Sequence, residues 1–277
     1  MTLKELYDAG TDVLDENGIE SPETDAFYLL EHVTGIGKSG YLLRKNEQIS
    51  LQAESAYMEL IETRARHVPY QYITGEAPFM GYMFKVTSDV LIPRFDTEVL
   101  CEKAAELTLE GSRVLDMCTG SGCIAVSLKC LRQGAAVTAC DISGKALAVA
   151  AENAKLNGAD IEFIQGDLFE NLDHRKFDII VSNPPYVMNG EYEALSPEVK
   201  DHEPRLALTA GDDGMDIYRR LIPEAAEHLD AEGYLMMEIS FSQAEGVKTL
   251  MEKSGFEDIK VIKDLAGLDR VVMGRIC

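Results

Sequence analysis

Basic side chains and long apolar runs are both scarce in this sequence of 277 residues. Lysine and arginine total 26 against 48 aspartate and glutamate residues, so the formal net charge is −22. A chain this acidic lacks the net-positive field that drives binding to a phosphate backbone, and we expect a small molecule or a protein as its substrate, not nucleic acid. No apolar run approaches the roughly 18 residues that span a bilayer, and the first residues alternate charged with apolar side chains, unlike a signal peptide. We therefore expect a cytoplasmic protein that does not associate with membranes.

The six cysteines lack the Cys-x-x-Cys spacing that many metal and redox sites use. Four of them lie between residues 118 and 140, in a stretch with the pattern of packed strand and helix. Small buried thiols in a reducing compartment explain this distribution without any ligand set. We predict no metal site.

The first part of the chain has the apolar spacing of three to four residues that amphipathic helices show. Thr2 and Glu5 form a Thr-x-x-Glu capping box at the start of a first helix. Ser21-Pro22 supplies a cap and a first-turn proline for a second helix, and a third is predicted from about residue 50 to residue 67. No pattern typical of catalysis occurs here, so we predict a small helical bundle.

In the rest of the chain, the spacing of the apolar residues changes twice. Residues 76–94 have glycine between β-prone runs, which predicts a β-hairpin linker. Beyond them, strand-like apolar runs alternate with helical stretches, which is typical of a doubly wound, mostly parallel α/β sheet of seven strands. The predicted strands are 113–117, 136–141, 161–165, 177–182, 234–239, 259–262 and 270–276, and the predicted helices begin near residues 122, 143 and 243. The last two strands have no helix between them, so one is expected to be antiparallel. We divide the chain into a helical domain (1–75), the linker (76–94) and the α/β domain (95–277).

Open α/β sheets bind ligands beyond the carboxyl ends of their strands, at the topological switch point. After the first predicted strand, Gly120 and Gly122 let the backbone turn sharply and approach a ligand just before a helix begins. Asp141, at the end of the second strand, is placed to accept both hydroxyls of a ribose. Leu168 and Phe169 follow the third strand and suit the face of an adenine. Together these features indicate a cofactor that contains adenosine.

The loop does not by itself specify which cofactor binds. Residues 120–125 match the G-x-G-x-x-A variant of the dinucleotide fingerprint, so a nicotinamide dehydrogenase is one alternative. A glycine-rich turn without any ligand is another. Asp116, near the end of the first strand, favours a cationic amino-acid group over a pyrophosphate.

The fourth predicted strand runs directly into Asn183-Pro184-Pro185-Tyr186. The two prolines remove backbone donors and fix φ, and they push the residues before them toward extended geometry. The Pro184 carbonyl and the Asn183 side-chain oxygen are then two fixed acceptors, and Tyr186 supplies an aromatic wall. A planar NH2 group can donate one hydrogen to each acceptor, which aims its lone pair at an electrophilic carbon, and the nitrogen loses a proton only after attack. A proline turn that merely ends a strand is the structural alternative.

With this motif in place, the sequence resembles the S-adenosylmethionine-dependent methyltransferases of class I, and more closely the glutamine methyltransferases that modify peptide chain release factors, the PrmC/HemK family. Five segments carry the resemblance: Pro69-Tyr70-Gln71-Tyr72-Ile73-Thr74-Gly75, Leu91-Ile92-Pro93-Arg94-Phe95-Asp96-Thr97-Glu98, Asn183-Pro184-Pro185-Tyr186, His202-Glu203-Pro204-Arg205-Leu206-Ala207-Leu208 and Asp213-Gly214-Met215-Asp216. It extends over nearly the whole chain. The fold that it implies is Rossmann-like.

The resemblance implies methyl transfer from S-adenosyl-L-methionine to the glutamine amide in the Gly-Gly-Gln loop of class I release factors, with the helical domain helping to dock that protein. The predicted cofactor-binding residues are Asp116, Cys118, Thr119, Gly120, Ser121, Gly122, Asp141, Leu168, Phe169 and Asn183. The predicted catalytic residues are Asn183, Pro184 and Tyr186, which with Pro185 also form the predicted site for the substrate amide.

Two positions depart from the family pattern. Cys118 and Phe95 stand where the family usually has glycine and proline, so the cofactor loop either curves differently or holds Cys118 at glycine-like backbone angles. His202, Glu203 and Arg205 either contact the substrate or pair internally, and we leave them out of the predicted site.

Four alternatives to release-factor methylation remain at this level. An adenine methyltransferase of nucleic acid uses the same NH2-binding motif after base flipping, but the acidic charge argues against it. A ribosomal-protein glutamine is a second possible target. The remaining alternatives are a dinucleotide-dependent oxidoreductase and a binding module that retains a cofactor pocket without catalysis.

Overall fold

The computed structural model describes all 277 residues and divides them into two compact units. The first unit contains Met1–Glu76 together with Ser196–His202, and the second contains Ala77–Leu195 and Glu203–Cys277. A short segment from late in the sequence therefore belongs to the unit that begins the chain. None of the helices combines the length and apolar character that crossing a membrane requires.

The first unit is built from helices, as predicted. Its helices are α1 (Leu3–Glu16), α2 (Pro22–Thr34), α3 (Lys38–Arg44), α4 (Leu51–Arg64) and α5 (Tyr70–Thr74). The capping box of Thr2 and Glu5 is confirmed, because the Thr2 side chain accepts from the Glu5 N–H and the Glu5 carboxylate accepts from the Thr2 N–H. The short helices α3 and α5 were not predicted. The core of the unit consists of Leu3, Leu6, Leu14, Ile19, Ala26, Leu29, Leu30, Tyr57 and Ile61.

The predicted hairpin is present between residues 76 and 85. It consists of β1 (Glu76–Phe79) and β2 (Tyr82–Lys85), joined through Met80 and Gly81, both at positive φ. Phe79 and Phe84 are fully buried and pack edge to face, which fixes the hairpin on the α/β core.

The second unit contains a sheet of seven strands, which confirms the predicted fold class. In chain order, its elements are α6 (Phe95–Leu107), β3 (Arg113–Met117), α7 (Cys123–Leu131), β4 (Ala136–Asp141), α8 (Gly144–Asn157), β5 (Ile161–Gln165), β6 (Phe177–Ser182), α9 (Asn189–Tyr192), α10 (Pro197–His202, which belongs to the first unit), α11 (Asp216–His228), β7 (Leu229–Glu238), α12 (Ala244–Lys253), β8 (Phe256–Lys263) and β9 (Asp269–Ile276). The strand order is β5-β4-β3-β6-β7-β9-β8, and β9 is antiparallel to both neighbours while the other pairs are parallel.

Helices cover both faces of this sheet, so every central strand is buried on two sides. The hairpin, α6 and α7 pack on one face, and α11 and α12 pack on the other. Helices α6 and α11 were not predicted. The chain winds outward from β3 through β4 to β5 and then returns to place β6 on the other side of β3, so the switch point lies between β3 and β6.

Candidate active site

The carboxyl ends of β3 and β6 meet at the switch point. Met117 pairs with Ser182 in the parallel register, and the Ser182 hydroxyl donates to the Met117 carbonyl at 2.6 Å. The loops that begin at Cys118 and Asn183 therefore leave the sheet side by side. They border a cavity of about 350 Å3, within the range of small-molecule sites. The sequence prediction placed the cofactor loop and the Asn-Pro-Pro-Tyr segment at this edge, and the structure brings them together.

The cofactor loop turns through left-handed backbone at three positions. Cys118 has φ +62°, Gly120 +56° and Gly122 +79°. A Cβ atom on Gly122 would lie 2.9 Å from the Cβ of Ala150 in α8, so the third position also needs glycine for packing. Cys118 thus adopts the backbone angles that a glycine would take, at a cost of about 1–2 kcal/mol for a residue with a Cβ. Of the two alternatives for this position, the structure shows the one in which Cys118 itself adopts a left-handed φ.

Asp116 lies underneath this loop and does not line the cavity. Its carboxylate is fully buried, and Oδ2 accepts from the Thr119 hydroxyl at 2.6 Å and from the Ala125 N–H at 3.1 Å. Oδ1 has no hydrogen-bond partner in the protein. Burial raises the pKa of Asp116 to about 7. Asp116 therefore ties the loop and the start of α7 to β3, and it does not face the cavity where its contact with a cofactor was predicted.

Asp141 ends β4 and does line the cavity. Its Oδ2 accepts from the Gly120 N–H at 2.8 Å, and its Oδ1 accepts from the Ser143 N–H at 2.9 Å. Burial raises its pKa, and these two backbone bonds oppose that rise. Because each carboxylate oxygen can accept a second hydrogen bond, the pair remains able to bind two hydroxyls of a ribose.

The two residues predicted for the adenine separate in the structure. Leu168, at φ +52°, lines the cavity. Phe169 turns away from it and stacks on the His228 ring, with the ring centroids 4.6 Å apart, inside the core. Only Leu168 is therefore placed to contact a ligand.

Asn183 is held by a buried hydrogen-bond network that sequence reasoning missed. Its Nδ2 donates to the Thr97 hydroxyl at 3.0 Å, and that hydroxyl donates to Glu238 Oε2 at 2.6 Å. The Tyr186 hydroxyl donates to Glu238 Oε1 at 3.2 Å. Glu238 is 1% exposed, and burial raises its pKa to about 6. A carboxylate that closes the apolar strand β7 at its carboxyl end was the available signal.

The two acceptors predicted from the Asn-Pro-Pro-Tyr motif are both unengaged. Neither Asn183 Oδ1 nor the Pro184 carbonyl accepts a hydrogen bond from any protein group. Asn183 and Pro185 line the cavity, whereas Pro184 and Tyr186 do not. Tyr186 was predicted as an aromatic wall; instead, its ring is largely buried and its hydroxyl anchors the motif to Glu238.

Glu203 and Arg205, two of the three residues left out of the predicted site, have partners within the protein. Glu203 is 5% exposed and binds the Arg94 guanidinium and the Ile92 N–H, which joins two walls of the cavity. The Arg205 guanidinium lies over the Tyr192 ring, 4.6 Å from its centroid. Glu203 therefore has the internal ion pair that one alternative predicted, whereas Arg205 contacts an aromatic ring and is exposed.

Comparisons with known proteins agree with this architecture. The family model of the PrmC N-terminal domain matches residues 5–75, and that of the methyltransferase small domain matches residues 86–199. A release factor glutamine methyltransferase of Geobacter sulfurreducens is 40% identical over 275 residues, 99% of this chain and 97% of that protein. One of Deinococcus radiodurans is 40% identical over 277 residues and 99% of both chains.

A solved structure shares the fold at lower identity. The T. thermophilus 16S rRNA N2 G1207 methyltransferase, in complex with AdoMet and guanosine, superposes with a TM-score of 0.54 at 20% identity, over 73% of this chain and 50% of that one. Since relatives at 40% identity match nearly the whole chain, the protein belongs to the family of release factor glutamine methyltransferases.

Proposed function

We propose that this protein transfers a methyl group from S-adenosyl-L-methionine to the side-chain amide nitrogen of the glutamine in the Gly-Gly-Gln motif of class I peptide chain release factors, and so supports translation termination. The observation that carries the proposal is that Asn183 Oδ1, on a residue that lines the switch-point cavity, and the adjoining Pro184 carbonyl both lack a hydrogen-bond donor in the protein. Family membership and the names of the relatives support the substrate class.

The side chains that line the cavity match the chemical groups of the cofactor. Asp141 has one spare acceptor on each oxygen for the ribose hydroxyls, and Leu168 offers an apolar face for the adenine. Residues 118–122 lie beside the methionine end of the cofactor, and Thr119 and Gly120 line the cavity. When bound, the cofactor supplies a methyl group activated by its positively charged sulfur. Asp116 supports the loop from below and does not touch the ligand in this arrangement.

The Asn-Pro-Pro-Tyr segment orients the amide that receives the methyl. A glutamine amide is a poor nucleophile because its nitrogen lone pair is delocalised into the carbonyl. Two acceptors that bind both N–H bonds favour pyramidal nitrogen and direct the lone pair toward the cofactor, which is catalysis by position and electrostatics. Asn183 and Pro184 provide those acceptors. Tyr186 holds the segment in place through Glu238 and through its N–H, which donates to the Leu208 carbonyl at 3.1 Å.

A protein substrate suits the rest of the molecule. The net charge of −22 disfavours nucleic acid as a partner, and we assign the helical unit to docking the release factor. Leu206 lines the cavity and is 60% exposed, so it offers an apolar contact at the mouth where a peptide loop would enter.

The test incubates the protein with labelled S-adenosyl-L-methionine and a purified release factor, with the Gly-Gly-Gln glutamine intact or changed to alanine. Peptide mass spectrometry is expected to locate one added methyl group on that glutamine and none in the Gln→Ala substrate. Asn183→Ala is expected to lower kcat by about 100- to 1,000-fold, because it removes one acceptor at the reacting nitrogen.

Calorimetry with the cofactor separates binding from turnover, and we expect Asn183→Ala to keep its affinity for the cofactor. Asn157→Ala, at the end of α8 and outside the cavity, is the matched control and should leave kcat unchanged. Label on a release factor that lacks the glutamine, or full turnover by Asn183→Ala, would contradict the proposal.

A further inference from the structure

We infer that Thr97 and Glu238 are positioning residues that decide which end of the Asn183 amide faces the reacting nitrogen. The inference rests on the proposed function, in which the Asn183 oxygen must face the substrate. Both residues are buried, Thr97 at 2% and Glu238 at 1% exposure, and they come from α6 and β7.

An asparagine amide has nearly the same shape in its two orientations but opposite chemistry. With Oδ1 toward the cavity it accepts a hydrogen from the substrate NH2, whereas with Nδ2 there it presents a donor to another donor. The loop backbone does not by itself distinguish the two orientations. A neighbour whose hydrogen-bonding capacity is fixed has to do so.

Thr97 has that fixed capacity because of Glu238. A hydroxyl carries one proton, and an ionised carboxylate can only accept, so the proton of Thr97 goes to Glu238 Oε2 across 2.6 Å. The Thr97 oxygen is then left with lone pairs only, and it requires a donor from Asn183. Nδ2 fills that place at 3.0 Å, and Oδ1 is left for the cavity.

The surroundings keep Glu238 charged in spite of its burial. The Tyr186 hydroxyl donates to its second oxygen, and the positive charge of Arg270 in β9 opposes the rise in pKa that burial causes. The negative charge of Asp96 raises the pKa of Glu238. The orientation of Asn183 is thus set by a relay in which every donor and acceptor has one assignment.

Two substitutions of nearly unchanged volume break the relay in different ways. Thr97→Val removes the hydroxyl, so neither orientation of Asn183 is preferred. Glu238→Gln keeps the size but adds a donor, which lets Thr97 accept from the new amide and donate to Asn183 Oδ1, turning Nδ2 toward the cavity. Thr97→Ser keeps the hydroxyl and should restore the relay.

The experiment measures kcat and both KM values for methylation of a release factor by these variants. Thr97→Val and Glu238→Gln are expected to lower kcat about 10- to 100-fold with the KM for S-adenosyl-L-methionine within about twofold, and Thr97→Ser to recover kcat to within about threefold of wild type. Thr108→Val removes an equally buried hydroxyl at the end of the same helix and should leave both constants unchanged.

A second measurement does not depend on turnover. The NMR signals of the Asn183 side-chain amide, assigned by their loss in Asn183→Ala, should shift in Thr97→Val and Glu238→Gln and stay in place in Thr108→Val. If the signals shift in these two variants but the wild-type protein does not methylate glutamine, the proposed function is contradicted and the relay stands. An active wild type with unchanged signals, or unchanged kcat in Thr97→Val, would overturn the relay.

Discussion

Two regions of the molecule bury charged side chains in different ways, the Arg64 cluster of the helical unit and the carboxylates near the carboxyl ends of β3 and β7. In the helical unit, Arg64 is 3% exposed and donates to the carboxylates of Asp25, at 2.7 Å, and Glu198. In the α/β unit, Asp116 and Glu238 are fully buried and accept hydrogen bonds only from hydroxyls and backbone N–H groups, with no cation in contact.

The consequence appears in their protonation. Burial raises the pKa of Asp25, and Arg64 opposes that rise through its charge and its hydrogen bond. Neutral donors compensate less, so the pKa of Asp116 reaches about 7 and that of Glu238 about 6. Asp25 therefore has a cation within hydrogen-bonding distance, whereas Asp116 has only neutral donors and Glu238 has neutral donors and the more distant charge of Arg270.

The largest loss of stability is expected when the cation that compensates a buried carboxylate is removed. Arg64→Ala would leave two carboxylates without their cation, one of them buried, and should lower the free energy of unfolding by about 3–5 kcal/mol. Urea unfolding of the full chain measures it. Arg66→Ala, an exposed arginine two residues further along, is the control and should change stability by less than about 0.5 kcal/mol. Equal losses of stability in the two variants would show that the ion pairs of Arg64 with Asp25 and Glu198 do not contribute the expected stability.

A smaller effect of opposite sign is expected at Asp116. Its pKa is about 7 in the folded protein against an ordinary 3.8, so between these pH values the native state binds the extra proton and stability falls as the pH rises. Asp116→Asn removes the ionisation and keeps an oxygen for Thr119 and Ala125. The free energy of unfolding of the variant should therefore rise relative to that of wild type between about pH 4 and pH 7, by about 2–4 kcal/mol at the upper end.

The matched control for Asp116 is a carboxylate that does have a cation. The guanidinium of Arg113 lowers the pKa of Asp178, so stability from this group is present above its unfolded pKa and is lost as the pH falls through the folded value. Asp178→Asn should therefore lose stability above about pH 4 relative to wild type, where Asp116→Asn gains it. The same sign in both variants would refute the contrast between carboxylates with and without a cation partner.

The smallest effect concerns backbone strain at the same cavity. Cys118→Gly should raise the free energy of unfolding by about 0.5–1 kcal/mol, since glycine removes the cost of the left-handed angle and offsets part of that gain by its flexibility when unfolded. Cys123→Gly, at right-handed angles in the first turn of α7, should lower it. Thermal unfolding of both variants measures these changes. A lower stability of Cys118→Gly would show that packing of the thiol outweighs the backbone strain.

Sequence reasoning succeeded where the signal is local. Four parallel strands end at the predicted residues, Met117, Asp141, Gln165 and Ser182, because each is a short strand-forming run followed by a polar turn. Since the parallel strands place these ends at one edge, the meeting of the cofactor loop with Asn183 followed from the topology.

It failed where the structure depends on distant contacts. Thr97 and Glu238 are 141 positions apart and meet only after α6 packs beside β7, so no spacing in the sequence reveals their bond. Helix α11 contains Pro223, which interrupts the helical pattern. Leu168 and Phe169 could not be distinguished, because the positive φ of Leu168 breaks the alternation that assigns sides in an extended segment.

The return of residues 196–202 to the first unit has a topological consequence. The chain passes from one unit to the other three times, after residues 76, 195 and 202. A protease cut at the first passage would therefore release neither fragment cleanly, because α10 would still be held by Arg64 through Glu198. For the same reason, the α/β unit expressed from residue 77 would carry a loop whose natural neighbours are missing, and excising the helical unit as a separable module would require shortening that loop.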